Sequence, residues 1–326
     1  MLIEKNDVEL SVVIPMYNEE LNIDYLFERL LCVLARLKMK YEIVCVNDGS
    51  KDNTLKYLVE YHQCNPTIKV VNLSRNFGKE IALTAGIDYA TGAAVVPIDA
   101  DLQDPPELIE ELIAKWREGY DVVYATRLSR QGETWLKRFT ANAFYQIIAR
   151  LSPIPIPCNT GDFRLLDRRV VNVLKQMPEQ NRFMKGLFAW VGFKQTSILF
   201  ERPQRYKGTT KWNYWRLWNF AIGGITSFSF IPLKVWSYIG LAFSLFSFLY
   251  ASFMIIRTFL FGIVVPGYAS LMVVVLFLGG VQLLSLGIIG EYLGRVYEEV
   301  KGRPLYVVRE CYGFVSESLN HTFVSK

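Results

Sequence analysis

Three oxygen-bearing side chains occur at alternate positions directly after an apolar segment of the chain. Asp99, Asp101 and Gln103 follow the run Ala93–Ile98, which has the length and composition of a buried strand. Carboxylate and carbonyl oxygens are the ligands that Mg²⁺ and Mn²⁺ prefer. Such a short acidic pattern is common by itself, and its position at the end of a buried strand makes it informative. We therefore predict that these three residues hold a divalent metal ion.

Polar or conformationally unusual residues follow three other strand-like segments. Apolar runs alternate with helical periods between residues 8 and 126, which predicts an α/β fold built on a mainly parallel sheet. The carboxyl ends of parallel strands lie at one edge of a sheet, where such folds bind their ligands. Four loops are therefore expected to converge at this edge: residues 15–19 (PMYNE), 47–50 (NDGS), 74–79 (SRNFGK) and 99–104 (DADLQD).

The apolar periodicity also predicts where each element lies. The predicted strands are Val8–Pro15, Glu42–Asn47, Ile68–Leu73, Ala93–Ile98, Asp121–Thr126 and a strand near Thr196–Glu201. The predicted helices are Leu21–Leu37, Thr54–His62, Lys79–Ala90, Pro106–Glu118 and two more near Trp135–Ala149 and Arg169–Gln176.

Two long uncharged segments follow the α/β half. No charged residue occurs from Val235 to Ile256 or from Thr258 to Gly290, and Pro266-Gly267 interrupts the second segment. Because a membrane-spanning helix needs about 20 apolar residues, we predict two transmembrane helices at about 233–256 and 269–290. The alternative, a helical hairpin buried in a soluble core, rarely stays uncharged on every face for so long.

Basic residues on both flanks of this hairpin set its expected orientation. Arg205 and Lys211 precede it and Arg295 and Lys301 follow it, whereas the connecting loop has only Arg257 at its edge. By the positive-inside rule, both termini and the α/β half are expected on the cytoplasmic side of the cell membrane.

The hairpin divides the chain into four regions. Residues 1–211 would form the α/β domain, and residues 291–326 a cytoplasmic tail. The aromatic stretch 212–232 predicts an amphipathic helix in the membrane interface, with a helix docked between domains as the alternative.

The composition argues against several other kinds of site. The five cysteines form no CxxC pair and there are only two histidines, which disfavours a disulfide framework, a His-rich zinc site and a Ser-His-Asp triad. The formal charge of +5 is modest and no nucleic-acid-binding motif occurs, so no nucleic-acid partner is expected. No GxGxxG motif follows the first strand, which disfavours a nucleotide-dependent oxidoreductase.

The four loop motifs, in this order and spacing, resemble those of glycosyltransferase family 2. The resemblance extends from about residue 9 to residue 308 and is nearest to polyprenyl-phosphate sugar synthases related to dolichyl-phosphate mannose synthase, in particular the bactoprenol glucosyltransferases with two C-terminal membrane helices. It implies a GT-A fold and an inverting transfer of a sugar from a nucleotide sugar to a lipid phosphate.

The resemblance also implies roles for individual residues. Asp101 would be a catalytic group as well as a metal ligand. Nucleotide-binding residues would be Pro15, Tyr17, Asn18, Glu19, Asp48, Asn76, Gly78, Lys79 and Asp99, and phosphate-binding residues would be Arg127, Arg138, Arg205 and Lys211.

Asp162 is the candidate for a catalytic base or an orienting carboxylate. A phosphate monoester has a second pKa of about 6, so its attacking oxygen is largely ionised near neutral pH. Positioning and charge neutralisation are therefore expected to matter more than proton removal. The alternative is that Asp162 is a turn residue after Gly161, or an ion-pair partner of Arg164.

The leading functional hypothesis is transfer of a hexose, with UDP-glucose as the first donor candidate, to a polyprenyl phosphate at the membrane. GDP-mannose or a UDP-aminoarabinose donor, and a non-enzymatic nucleotide-sensing membrane scaffold, are the alternatives. Small residues in the second apolar segment favour close helix packing and a homo-oligomer, namely Gly279, Gly280, Ser285, Gly287 and Gly290.

Overall fold

The computed structural model describes residues 8–128, 160–177, 179, 180, 182, 184–200 and 267–314, with scattered helical positions between 238 and 261. The described strands are β1 (Leu10–Met16), β2 (Tyr41–Asn47), β3 (Ile68–Leu73), β4 (Ala94–Pro97), β5 (Val122–Arg127), β6 (Thr160–Asp167), β7 (Gln195–Phe200) and β8 (Val308–Tyr312).

The described helices lie between these strands and after them. They are α1 (Ile23–Leu37), α2 (Thr54–Cys64), α3 (Lys79–Tyr89), α4 (Ile109–Arg117, preceded by a 3₁₀ turn at Pro106–Leu108), α5 (Arg168–Gln176), α6 (Met184–Trp190) and α7 (Tyr268–Lys301). All strands and helices predicted up to residue 126 are present, with small differences at their ends.

The strands form one eight-stranded sheet in the order β7-β5-β6-β4-β1-β2-β3-β8. Neighbouring strands pair in parallel from β4 through β1 and β2 to β3, and β5 pairs in parallel with β7. The predicted mainly parallel sheet is therefore confirmed. Two strands run the other way, β6 between β4 and β5 and β8 beside β3, and neither was predicted from the sequence.

The sheet is buried on both faces, as its apolar strands require. Successive residues of β1 alternate between two clusters: Val12 and Ile14 pack with α1, α2 and α4, whereas Val13 packs with α3, α5 and α6. Helix α3 lies especially close to the sheet, because a Cβ on Gly86 would stand 2.2 Å from Cγ1 of Val13.

Helix α7 contains the predicted second membrane segment and continues well past residue 290. Its part Phe277–Lys301 is long and apolar enough to cross a membrane, and it is the one such helix among the described residues. At 1.5 Å per residue, its 34 residues extend about 51 Å. A hydrocarbon core is about 30 Å thick, so α7 is long enough to protrude from a membrane.

The chain returns to the sheet after α7. The segment predicted to be a separate tail, residues 291–326, contains the last turns of α7 and edge strand β8, which pairs antiparallel with β3. The predicted first membrane segment (233–256) falls largely outside the described residues, although the positions described there are helical. The predicted interfacial helix 212–232 and the helix near Trp135–Ala149 also lie outside them.

Candidate active site

The loop after β2 holds the loop after β3 in place through Asp48. Both oxygens of its buried carboxylate accept backbone hydrogen bonds, from Phe77 at 2.7 Å and Gly78 at 3.0 Å. The side-chain amide of Asn76 donates back to the carbonyl oxygen of Asp48 at 3.2 Å. Burial raises the pKa of Asp48, although the two N–H donors partly oppose this rise. Asp48 therefore fixes where α3 begins.

Gly49 lets these two loops approach each other closely. Its φ of +63° lies in the left-handed region, and an added Cβ would stand 2.5 Å from the carbonyl carbon of Arg75. Any side chain at this position would therefore be strained and would push the loops apart.

The loops after β1 and β2 are joined by reciprocal hydrogen bonds. The backbone N–H of Asn18 donates to Oγ of Ser50 at 3.0 Å, and the Lys51 N–H donates to Oδ1 of Asn18 at 2.8 Å. Glu19 donates its N–H to Oγ1 of Thr54 at 3.0 Å. Asn18 and Glu19, predicted to bind the nucleotide, thus also set the shape of this edge.

Lys79, the first residue of α3, forms ion pairs with two carboxylates. Its Nζ lies 2.8 Å from Oδ2 of Asp99, after β4, and 2.7 Å from Oδ2 of Asp162, on β6. The Lys79 and Asp99 side chains are 42% and 23% exposed, whereas the Asp162 side chain is only 9% exposed. The structure thus brings together three residues that were predicted from separate motifs.

Asp162 reaches this edge because β6 runs antiparallel to its neighbours. Thr160 pairs with Thr126 at the carboxyl end of β5, so the beginning of β6 lies where the parallel strands end. The alternative of a turn residue is therefore wrong for Asp162, which lies within a strand.

Positive charges surround Asp162. Burial by itself raises the pKa of Asp162, but Lys79, Lys185 and Arg164 outweigh burial and hold this pKa well below its usual range. Arg164 is itself buried, donates to the Gly161 carbonyl oxygen at 2.7 Å and stacks 4.1 Å from the centre of the Phe188 ring. A general base works best with a pKa near the working pH, so this environment suits an orienting carboxylate better than a base.

Glu80 adds a second buried carboxylate that the sequence analysis missed. It follows Lys79 on α3 and accepts a hydrogen bond from the backbone of Met184, the first residue of α6. Burial and then the charge of Asp162 raise the pKa of Glu80 to about 7. Its position beside Lys79 in the motif was the available signal, but nothing in the sequence placed it near Asp162.

The loop after β4 turns sharply at Leu102, whose φ of +60° is unusual for a residue with a branched side chain. The Gln103 N–H donates to Oδ1 of Asp101 at 3.1 Å, and Asp101 is only 8% exposed. The turn thus ties the second predicted metal ligand to the third.

Two family models match the chain, and together they cover most of it. Residues 11–174 match glycosyl transferase family 2, and residues 231–296 match the GtrB C-terminal hairpin. The chain belongs to glycosyl transferase family 2. It is therefore a glycosyltransferase with a GT-A fold, as the sequence motifs predicted.

Relatives match this glycosyltransferase over nearly its whole length. An uncharacterized glycosyltransferase of Synechocystis sp. is 70% identical over 94% of this chain and 96% of its own. The uncharacterized glycosyltransferase YkcC of Bacillus subtilis is 47% identical over 96% of this chain and 97% of its own. A prophage-derived bactoprenol glucosyl transferase of Shigella flexneri is 47% identical over 94% of this chain and 99% of its own.

The predicted metal ligands of this glycosyltransferase suit a metal site that substrate phosphates complete better than one formed by protein side chains alone. Among the described residues, no group of three or more His, Cys, Asp and Glu side chains is placed to hold a metal ion. Asp99 and Asp101 are two carboxylates at one loop, with the amide of Gln103 beside them. Mg²⁺ is commonly bound in this way, by one or two carboxylates together with substrate phosphates. The residues therefore fit an ion that a diphosphate helps to hold.

The predicted phosphate-binding residues lie mostly outside the described part of the glycosyltransferase. Arg138, Arg205 and Lys211 fall in undescribed segments, and Arg127 is described only as the last backbone position of β5. Among the other predicted nucleotide-binding residues, Pro15 lies in β1 and Tyr17 directly follows that strand, and both are half-buried at the same edge.

Proposed function

We propose that this glycosyltransferase moves a hexose, glucose from UDP-glucose in the first instance, onto a polyprenyl phosphate at the cytoplasmic face of the cell membrane. The proposal rests mainly on the ion pairs that Lys79 forms with Asp99 and Asp162 at the carboxyl edge of the sheet. The chain returns to this same sheet after α7. The donor, the acceptor and the stereochemistry are all part of this proposal.

The relatives support the acceptor and the sugar. The Shigella flexneri relative is named for glucosyl transfer to bactoprenol, and its match covers the catalytic half and the hairpin alike. A lipid acceptor also agrees with the match to a C-terminal hairpin next to the glycosyltransferase domain.

The path of the chain supports two membrane crossings. Strands β7 and β8 belong to one sheet, so the chain between them must cross any membrane an even number of times. If Phe277–Lys301 is one crossing, a second must precede it. The helical positions between 238 and 261 lie where the sequence predicts that crossing. The basic residues on both flanks then favour a cytoplasmic catalytic domain.

The proposed reaction is a single displacement. An oxygen of the acceptor phosphate attacks C1 of the sugar while the bond from C1 to the donor diphosphate breaks, so the configuration at C1 inverts and the nucleoside diphosphate leaves. The acceptor oxygen is already ionised, so no residue needs to remove a proton. Bound by Asp99, Asp101 and Gln103, Mg²⁺ or Mn²⁺ would neutralise charge on the departing diphosphate.

Side chains of the protein would supply position and charge. In this proposal the loops held by Asp48, Asn18 and Glu19 enclose the nucleotide, and the negative charge of Asp162 orients the sugar. Arg127, Arg138, Arg205 and Lys211 would bind the acceptor phosphate, and the guanidinium fork of the three arginines is well shaped for its oxygens.

A homo-oligomer is also part of the proposal. The small residues predicted to permit close packing lie on α7, and among the described residues nothing stands within 4 Å of a Cβ added at Gly279, Gly280, Gly287 or Gly290. Such positions allow two helix backbones to approach closely in a membrane.

Transfer can be measured in membranes that contain the protein. Radiolabelled UDP-glucose, undecaprenyl phosphate and Mg²⁺ should give a labelled lipid, and Asp101→Asn should reduce its rate by at least about 100-fold, the range for a lost electrostatic contact. Glu107→Gln is a matched control on the exposed surface, where Glu107 pairs only with Arg29 among the described residues. The absence of labelled lipid with UDP-glucose, GDP-mannose and a UDP-aminoarabinose alike would contradict the proposal.

A further inference from the structure

One ammonium group forms ion pairs with two carboxylates at the place where the sugar donor is proposed to bind (the donor site). Lys79 contacts Asp99 at 2.8 Å and Asp162 at 2.7 Å, so the three groups together carry a net charge of about −1. Among the described residues, Lys79 is the one side chain that hydrogen-bonds to Asp99. A predicted metal ligand is therefore already occupied by a cation that belongs to the protein.

The two ion pairs differ in their surroundings. Asp162 is almost fully buried and is also near Lys185 and Arg164, whereas Asp99 is more exposed. Ion pairs that water can reach contribute little net free energy, whereas breaking a buried pair is costly. The contact of Lys79 with Asp99 is therefore the one that a competing cation can replace.

The backbone keeps Lys79 in place while its side chain remains able to move. Lys79 begins α3, and the preceding N–H groups of Phe77 and Gly78 are bound by Asp48. Its side chain is 42% exposed and has four rotatable methylene groups, so the ammonium can leave Asp99 without any movement of α3.

We propose that Lys79 is the counter-ion of Asp99 and Asp162: it competes with the divalent cation for Asp99 and stays on Asp162 when that cation binds. The ammonium then remains beside the donor site, where it faces the negative charge of a diphosphate. This inference rests on the proposed metal role of Asp99.

The competition can be measured without any sugar transfer. Mn²⁺ binding to the nucleotide-free, full-length protein in detergent is followed by the electron paramagnetic resonance signal of free Mn²⁺. Lys79→Met should tighten Mn²⁺ binding about 5- to 150-fold, the usual range for coupled sites, because the competing charge is gone. Lys79→Arg keeps that charge and should bind Mn²⁺ nearly as the wild type does.

Lys185→Met is the matched control. It also removes a positive charge near Asp162, but among the described residues Lys185 makes no contact with Asp99. Its Mn²⁺ affinity should stay within about threefold of the wild type, below the range of coupled sites. An unchanged or weaker affinity in Lys79→Met, an equal gain in Lys185→Met, or no Mn²⁺ binding by any of the proteins would overturn the proposal.

A second measurement uses the wild type, in case Lys79→Met does not fold. Isotope-coded acetylation followed by mass spectrometry gives the reactivity of the Lys79 amine, which should increase when Mn²⁺ is added. An unchanged rate would overturn the proposal. If Lys79→Met binds Mn²⁺ more tightly but the wild type glycosylates no lipid, this inference stands and the proposed function is refuted. If the wild type glycosylates lipid but the Mn²⁺ affinity of Lys79→Met is unchanged, the proposed function stands and this inference is refuted.

Discussion

The hydroxyl group of Tyr306 donates a hydrogen bond to Oδ2 of Asp88, 3.0 Å away. Tyr306 lies between α7 and β8, and Asp88 lies in the last turn of α3, the helix that begins with Lys79 of the candidate site. A second contact attaches α7 itself to a different segment, because Oε1 of Glu299 on α7 accepts the N–H of Gln180, between α5 and α6, at 2.8 Å. The segment that directly follows the candidate membrane helix is thus attached to the helix that begins with Lys79.

Replacing Tyr306 by phenylalanine should destabilise the protein. The change leaves the Asp88 carboxylate without this partly buried donor, which costs about 1–2 kcal/mol of unfolding free energy. Chemical unfolding in detergent measures this. Tyr312→Phe is the control, because the Tyr312 hydroxyl donates to the exposed Glu310 at 2.8 Å and should matter less. Equal losses in the two variants would contradict the prediction.

Asp48→Asn should weaken nucleotide binding. A carboxylate accepts from both Phe77 and Gly78, whereas the amide offers one oxygen and turns an N–H donor toward the other backbone N–H. The displaced loop should raise the dissociation constant for UDP about tenfold, as for a lost hydrogen bond of about 1.4 kcal/mol. Isothermal titration calorimetry measures this.

Asp167→Asn serves as the control for Asp48. Asp167 ends β6 at the opposite edge of the sheet, where it accepts from the backbone N–H of Arg169 at 2.9 Å and the indole N–H of Trp116 at 2.8 Å. It should lower the thermal stability while leaving UDP binding nearly unchanged. If both variants lost UDP affinity equally, the position of the loop after β3 would not be the cause.

Glu80 should make the protein less stable as the pH rises. Its pKa is raised from 4.5 to about 7 in the folded state. Between these values the folded state holds a proton that the unfolded state has lost, so stability decreases with pH across this window. Glu80→Gln removes the effect. The melting temperature of Glu80→Gln minus that of the wild type should therefore be about 2–5 °C higher at pH 8 than at pH 5. A difference that does not depend on pH would refute this assignment.

Glu42 should show the opposite dependence on pH. Its buried carboxylate accepts from Ser11, Thr91 and Lys69, and although burial alone raises the pKa of Glu42, these hydrogen bonds lower it below 4.5. The resulting stability is fully present above pH 4.5 and is lost as the pH falls through the lower folded pKa. Glu42→Gln should therefore cost about 2 kcal/mol at pH 7. Urea unfolding should show a smaller loss in acid, and a loss that grew in acid would contradict this sign.

Gly86→Ala should destabilise the protein even though alanine favours a helix. The added Cβ would overlap Val13 in the sheet, and overpacking of a core costs about 1–3 kcal/mol. Thermal unfolding measures the loss. Gly294→Ala is the control, because among the described residues nothing lies within 4 Å of the added Cβ on α7. The prediction fails if Gly86→Ala is as stable as this control.

The sequence was sufficient for the parallel part of the sheet and for the edge where the site lies. Strands β1 to β5 have continuous apolar runs of limited length, and β1 to β4 are each followed by a helix with its own apolar face. Such local patterns depend on neighbouring residues, so they can be recognised without knowing the tertiary fold. The motifs containing Asp48, Lys79 and Asp99 were placed correctly because each directly follows or precedes such an element.

Only the tertiary structure decided which charges meet. Strand β6 lies between two strands that precede it in the chain, and β8 follows the segment that matches the GtrB C-terminal hairpin. Pairing over such distances depends on the packing of the whole sheet and leaves no local periodicity to recognise. The acidic pattern of Asp99, Asp101 and Gln103 could therefore be found in the sequence. That Lys79 pairs with Asp99 required the packing of α3 against the sheet, and its second pair with Asp162 followed from the antiparallel direction of β6.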